Sequence, residues 1–473
     1  MGDKIRASRR GVKVRALAAF GVSTLAVGGL GAVSASSATA TTAPNSTPIV
    51  YQVNPIAIQA KASLSVNGFD PAACIAAVGL ACYGPSQFHA AYNVPWTING
   101  QLAGTGEQVA IVDAYGSPTL ASDLATYDAE FGLPPANLHV YYPDGKPAYN
   151  PRQHAGETGW AEETSLDVQT VHDLAPGATI NLIVASSPNG NDLNVAERYA
   201  VDNHLGDVMS MSFGSPEAAI KGGGNNLQVA QADAIYKEAA AAGISVFASS
   251  GDSGASAGYA TANASFPASD PNVTSTGGTD LFLNSSGGYG SEYTWNDSDP
   301  TTCPFGCQDG VFGATGGAPS SIFSAAPYQS AVSSMSARTT SDVSFNASVY
   351  TASMIYLGFL GAGQNSFYFF GGTSEASPAW AAIAADLDQA VVQGGGHTLG
   401  QLNSTLYGLA SNPTSYASDF HNITVGNDQL PYPTAPGYSA GSGYNLPTGL
   451  GTPIVSGLLH SLAPTASLGF TQP

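Results

Sequence analysis

Gln108-Val109-Ala110-Ile111-Val112-Asp113 is a short apolar run that ends in an acid. Thr179-Ile180-Asn181-Leu182-Ile183-Val184-Ala185, Asp207-Val208-Met209-Ser210-Met211-Ser212 and Ile244-Ser245-Val246-Phe247-Ala248-Ser249-Ser250 repeat the theme downstream. Each is the length of a strand and apolar on both faces, the pattern of a strand covered on both sides. Between them lie helical stretches, Leu120–Phe131, Ala161–Leu174, Leu193–Asn203 and Leu227–Ala242. Buried strands with helical crossovers predict an α/β fold with a largely parallel central sheet and helices on both faces. Sites in such folds gather at the carboxyl ends of the strands.

Outward from this core the chain changes character. The first 40 residues hold six of the 13 Lys and Arg but one of the 33 acids. A basic stretch there precedes a weakly apolar run, Ala16 to Val33, and then small residues, with Val33-Ser34-Ala35 and Ala38-Thr39-Ala40 as cleavage candidates. Residues 1–40 therefore read as an export signal, and the protein as secreted. Ser8-Arg9-Arg10-Gly11-Val12-Lys13 resembles a twin-arginine motif, though an ordinary basic leader has the same composition. Residues 41–83 begin with a Thr-, Pro-, Ala- and Ser-rich stretch without periodicity, read as a linker or arm. Residues 84–473 form the main domain. No later stretch has 18 clean apolar residues, so no membrane association is expected after the signal.

Beyond residue 40, seven basic residues face 32 acids. That surface repels nucleic acid and anionic lipid. It also limits the positive charge that strains a fold in acid, which is compatible with an acidic setting. Cys74, Cys82, Cys303 and Cys307 suggest two local loops, Cys74–Cys82 and Cys303–Cys307. Neither pair has His at zinc-ligand spacing.

Ser374 lies in Gly371-Gly372-Thr373-Ser374-Glu375-Ala376-Ser377-Pro378, a glycine turn feeding an apolar helix. Such a turn can present a hydroxyl beside free N–H groups able to receive an oxyanion. It can equally be a simple helix cap. A serine nucleophile needs a base. None of the eight His sits in a His-Gly-Thr context at the head of a helix, and His154, His172, His397 and His421 read as surface or satisfied residues. Carboxylates are better placed. Glu163 and Asp167 stand at i and i+4 on one helix face, where they can share a proton, although a solvated acidic face has the same spacing. Asp252 follows the fourth strand in Ser250-Gly251-Asp252-Ser253-Gly254. Ser253 is rejected as nucleophile because a parallel α/β chain without an Ala-His-Cys segment does not fit that motif. Asp113 is set aside as a loop-capping acid without a histidine partner.

Together these segments resemble the sedolisin family of serine-carboxyl peptidases over roughly residues 84–460. The likeness covers Tyr83-Gly84-Pro85-Ser86-Gln87-Phe88-His89, Glu163-Thr164-Ser165-Leu166-Asp167, Ser250–Gly254 and the Gly-Thr-Ser-x-x-x-Pro spacing of Gly372–Pro378. The resemblance implies a subtilisin-like fold and a secreted endopeptidase acting on polypeptides in acid, as a monomer. It implies Ser374 as nucleophile, Glu163 as base, Asp167 orienting Glu163, and Asp252 in the oxyanion site. Phe213 is expected to wall the substrate strand. A weakly active or inactive polypeptide-binding relative is the alternative, and an adhesive surface protein a third. Two departures stand out. About 45 residues separate the cleavage candidates from Tyr83, where relatives carry a long prodomain. The family's calcium carboxylates are replaced by Asn422, in Phe420-His421-Asn422-Ile423-Thr424, and Asn445, in Ala440-Gly441-Ser442-Gly443-Tyr444-Asn445. Tight calcium, and any other firm cofactor, is therefore not expected.

Overall fold

A computed structural model describes residues 48–53, 55–60, 69–154, 156–299, 302, 313–360, 366–431 and 436–473. The leader and the Cys303–Cys307 pair lie outside the described residues, whereas Cys74 and Cys82 are bonded. The central sheet has the spatial order Tyr289–Thr294, Thr274–Leu283, Ser245–Ser249, Val208–Met211, Gln108–Ala114, Thr179–Ala185, Asn137–Tyr141, with Val343–Asn346 beside Thr274–Leu283. All pairings are parallel except that of Tyr289–Thr294. The fold is subtilisin-like and the expected sheet is present, with strand bounds within about two residues of those read from the apolar runs.

Gln108–Ala114 lies between Thr179–Ala185 and Val208–Met211, so the chain reverses its direction of travel across the sheet at this strand. In open α/β sheets such a reversal is where a crevice forms outside the carboxyl ends of the strands. Two helices frame it. Glu157–Leu174 crosses over between Asn137–Tyr141 and Thr179–Ala185, and Thr373–Gln393 runs through the core, buried from Thr373 to Ala390. The two pack against each other, which carries Glu163, Asp167 and Ser374 into one region.

Part of the segment read as a linker or arm has regular structure. Ile56–Gln59 is a strand, antiparallel to Ser366–Gly371, in a second sheet with Thr351–Leu357 and Ala81–Tyr83. Pro71–Val78 is a helix capped by Asp70. These residues belong to the folded domain.

The interior is acidic. Arg338 is the one fully buried Lys or Arg among the described residues, and it is paired with Asp342. Glu292, Asp297 and Asp388 are buried and pushed up to about 7, and Glu197 and Glu375 to about 8, in each case chiefly by loss of water around the charged form. Neither oxygen of the buried Asp386 has a donor. Folded carboxyls above their ordinary pKa hold protons that the unfolded chain releases near pH 4. Their stabilisation is fully present below that pH and is lost as pH rises through about 7 to 8. The melting temperature is expected to fall by at least about 10 °C between pH 4 and pH 8. A melt series showing an equal or higher midpoint at pH 8 would count against this.

Candidate active site

Ser374 stands in the first turn of Thr373–Gln393, with its N–H among the first helical amides, which have no acceptor within their own helix. Gly372 precedes it with φ +131°, and a Cβ there would lie 3.0 Å from Asp252 Oδ2. Glycine is thus needed both for the turn and for the approach of Asp252. Asp252 is partly buried. Its Oδ1 accepts from the Thr373 N–H and the Thr373 hydroxyl, both at 2.7 Å. Those bonds anchor one oxygen and leave Oδ2 toward the turn. Desolvation raises the Asp252 pKa to about 6, against the pull of the Thr373 donors. In mild acid this carboxyl therefore carries a proton, at the Gly372–Thr373 turn that precedes Ser374.

Glu163 and Asp167 are completely buried. Their carboxyls are held well above the usual range, first by desolvation and next by the charge of Asp113. For Glu163 the nearby Ser374 hydroxyl opposes that rise. No donor is in hydrogen-bond geometry with either Glu163 oxygen, with Asp167 Oδ2 or with either Asp113 oxygen. Buried carboxyl oxygens without donors are costly unless the groups hold protons themselves. Three acids without a facing cation can do so.

Proton counting at Ser212 supports this. Its hydroxyl oxygen is 2.8 Å from Asp167 Oδ1 and 3.0 Å from the Ser374 carbonyl oxygen. Pro378, which has no N–H, leaves that carbonyl without its helical partner. One hydroxyl proton cannot serve both oxygens. With a proton on Asp167, Asp167 Oδ1 donates to Ser212 and Ser212 donates to the carbonyl, and both short contacts of Ser212 are accounted for. The Ser374 hydroxyl itself has a long 3.4 Å bond to Ser212 O.

The four expected residues are thus brought together, and no described histidine hydrogen-bonds to Ser374. His172 is buried against Pro134 O at 2.8 Å, and His154 stacks on Tyr115. Ser253 is exposed. One expectation is corrected. Asp113 is no loop cap: it lies at the end of the central strand, fully buried, with a pKa pushed up to about 7 by desolvation. It is the third acid of the cluster. Its position at a strand's carboxyl end was the usable signal, and the search for a histidine partner hid it. Phe213 is buried, and Tyr51 of the arm packs on it at 5.0 Å between ring centroids. Ser212 was not singled out.

At the Asn422–Asn445 corner the two amides are engaged by the protein itself. Asn445 Nδ2 donates to the carbonyls of Ile423, Gly441 and Gly443, at 3.2, 3.3 and 3.4 Å. Its Oδ1 accepts from the N–H and hydroxyl of Thr448, which fixes the orientation of the amide. Asn422 Oδ1 accepts from the Gly443 N–H and the Tyr416 hydroxyl. The converging carbonyls already have a donor, and neither side chain brings negative charge.

Comparison with known proteins gives a consistent picture. A model of the subtilase family matches residues 148–408. Kumamolisin of Bacillus sp. (strain MN-32) is 32% identical over 399 residues, which are 81% of this chain and 64% of that protein. Sedolisin of Pseudomonas sp. (strain 101) is 31% identical over 356 residues, 73% of this chain and 56% of that protein. The chain therefore spans a little over half to about two-thirds of the length of these curated relatives. Among solved structures, Pseudomonas sedolisin, described as a serine-carboxyl proteinase in complex with pseudo-iodotyrostatin, superposes with a TM-score of 0.68 at 26% identity, covering 82% of this chain and 99% of that one.

Proposed function

The chain belongs to the subtilase family, in its sedolisin group, and from that premise we propose that it is a secreted serine-carboxyl endopeptidase that hydrolyses polypeptides in acid. The observation that carries the proposal is the Ser374 hydroxyl on a glycine turn beside a histidine-free set of buried carboxyls. With the cluster's protons on Asp113 and Asp167, Glu163 is the ionised member and takes the Ser374 proton as Oγ attacks the scissile carbonyl. Asp167 holds Glu163 and, through Ser212, the turn that carries Ser374. The oxyanion is received by the Ser374 N–H and protonated Asp252. Glu163 then passes its proton to the leaving amine, and water cleaves the acyl-enzyme by the reverse proton path. Export is supported by the basic and apolar pattern of residues 1–40, and no helix among the described residues is long and apolar enough to cross a membrane.

Asp252 must be protonated to donate, so activity should decline as pH rises past about 6. Asp252→Ala is expected to lower kcat by about 10²–10³. Asp252→Asn, which can still accept from Thr373 and donate to the oxyanion, should retain part of the activity and extend it to higher pH. The pH profiles of the two variants test this, and an unchanged upper limb in Asp252→Asn would remove Asp252 from the oxyanion site.

We also propose that the fold needs no calcium at Asn445. The melting temperature of the wild type should be unaffected by chelator or millimolar calcium. Asn445→Asp replaces the donor to three carbonyls with an anion, and should lower the midpoint by about 5 °C in chelator. Submicromolar calcium binding to the wild type, measured by calorimetric titration, would contradict this.

A further inference from the structure

Asp297 is a buried acid outside the catalytic cluster, just past the strand Tyr289–Thr294. Three donors converge on its two oxygens. The Trp295 indole N–H and the Ser348 hydroxyl reach Oδ1 at 3.0 and 3.3 Å, and the Gly313 N–H reaches Oδ2 at 3.3 Å. Its own N–H donates to Gly313 O at 2.9 Å.

Gly313 begins a short stretch that backs Asp252. Ala314 N–H donates to Asp252 O at 3.1 Å, and Ala314 O accepts from the Gly254 N–H at 3.0 Å. Gly316 N–H donates to Gly251 O at 2.7 Å, and the Ser250 hydroxyl donates to Gly316 O at 3.0 Å. On the other side Ala314 bridges to Asn296, and Thr315 N–H donates to Trp295 O at 3.1 Å. The stretch therefore lies between Trp295–Asp297 and Ser250–Gly254. It has no slack: a Cβ on Gly313 would lie 2.3 Å from the Trp295 ring, and one on Gly316 2.2 Å from Ser250 O.

Ser348 leads to the other half of the site. Its neighbour Ala347 accepts from the Gly372 N–H at 2.6 Å, and a Cβ on Gly371 would lie 2.5 Å from Val349 N. Gly371 and Gly372 form the turn that leads into Thr373 and Ser374, and Thr373 holds Asp252 Oδ1. One carboxyl thus takes a donor from the stretch behind Asp252 and another from the segment behind the Ser374 turn. The two acids also feel each other: burial first, and the charge of Asp252 as a smaller cause, push the Asp297 carboxyl up to about 7 against the pull of its donors.

We propose that Asp297 is a positioning residue of the oxyanion site, which sets Asp252 against the Ser374 turn by holding Gly313 and Ser348 at once. The role rests on the reading of Ser374 and Asp252 as peptidase groups. A carboxyl oxygen can accept whether or not it carries a proton. An amide has one accepting oxygen, and its nitrogen would face the Gly313 N–H or the Trp295 N–H. Asp297→Asn therefore loses the bond on one side, and Asp252 moves from the place where its proton meets the oxyanion.

The test is a double-mutant cycle in the full chain, read as turnover of an internally quenched peptide in acid. Asp297→Asn should lower kcat by about tenfold to hundredfold, the scale of an ångström's misplacement. KM should stay within about twofold, because the oxyanion exists only in the transition state. In a chain that already carries Asp252→Ala, the same substitution should lower kcat by less than about threefold, since no acid is left to position. Equal losses in the two backgrounds, a loss carried by KM, or no loss would overturn the proposal. If a melt shows Asp297→Asn to be unfolded, Trp295→Phe removes the indole donor to Oδ1 and keeps a ring beside Gly313. It should lower kcat by at least about threefold in the intact chain and by less in the Asp252→Ala chain, and equal losses again overturn the proposal. The same series separates this role from the reading it rests on. A wild type without turnover, or an Asp252→Ala chain as fast as the wild type, sinks that reading and this role with it. An Asp252→Ala chain slowed by about 10²–10³, with additive losses from Asp297→Asn, sinks the role of Asp297 alone.

Discussion

Ser374→Ala is expected to lower kcat for a short peptide by about six orders of magnitude, leaving a residue of activity from binding and the oxyanion site. The size follows from the chemistry. Without the hydroxyl no acyl-enzyme forms, and neither Glu163 nor Asp113 is placed by a helix turn to attack in its stead. The fold should not suffer, because the one bond the hydroxyl makes is the long one to Ser212 O. An unchanged melting temperature with lost activity separates catalysis from structure. Residual kcat within tenfold of the wild type would show that Ser374 is a helix cap.

Glu163→Gln is expected to cost about six orders of magnitude in kcat, the scale seen when a triad loses its general base. The amide matches the carboxyl in shape but cannot take the Ser374 proton. Its effect on stability should run the other way. Glu163 is buried, without a donor, and pushed well above its ordinary pKa. Loss of the cluster's remaining protons at neutral pH therefore works against the fold, by the linkage that applies to the other buried acids. A neutral Gln removes one acid from the cluster, so the variant should melt at a higher temperature than the wild type, and by more near pH 7 than near pH 4. A structural carboxylate would give the opposite order at pH 7.

The parallel sheet was readable because its strands are apolar on both faces and separated by helical spacing; Thr179–Ala185 and Leu120–Phe131 have the bounds read for them. Ser374, Glu163, Asp167 and Asp252 could be singled out as candidates because each lies in a local motif. The arm was not. Its Thr, Pro, Ala and Ser carry no period, and it is ordered by main-chain bonds to Gly214 and Gly371, far away in sequence, which no local pattern records. Asp113 was misread for a related reason. Its neighbours come from the helix Glu157–Leu174, and only packing makes the two carboxyls of that helix and the end of the central strand a single titrating group. The bond from Ser212 to the carbonyl that Pro378 leaves free is of the same kind.

The central claim is that Ser374 works through carboxyls and not through histidine. Hydrolysis of an internally quenched peptide, followed from pH 3 to pH 9 with Ser374→Ala as control, tests it most directly. The account predicts a kcat/KM that is highest in acid, declines beyond about pH 6 as Asp252 loses its proton, and is absent from the control. A rate that climbs through pH 7 to an alkaline plateau, or that persists in the control, would contradict it.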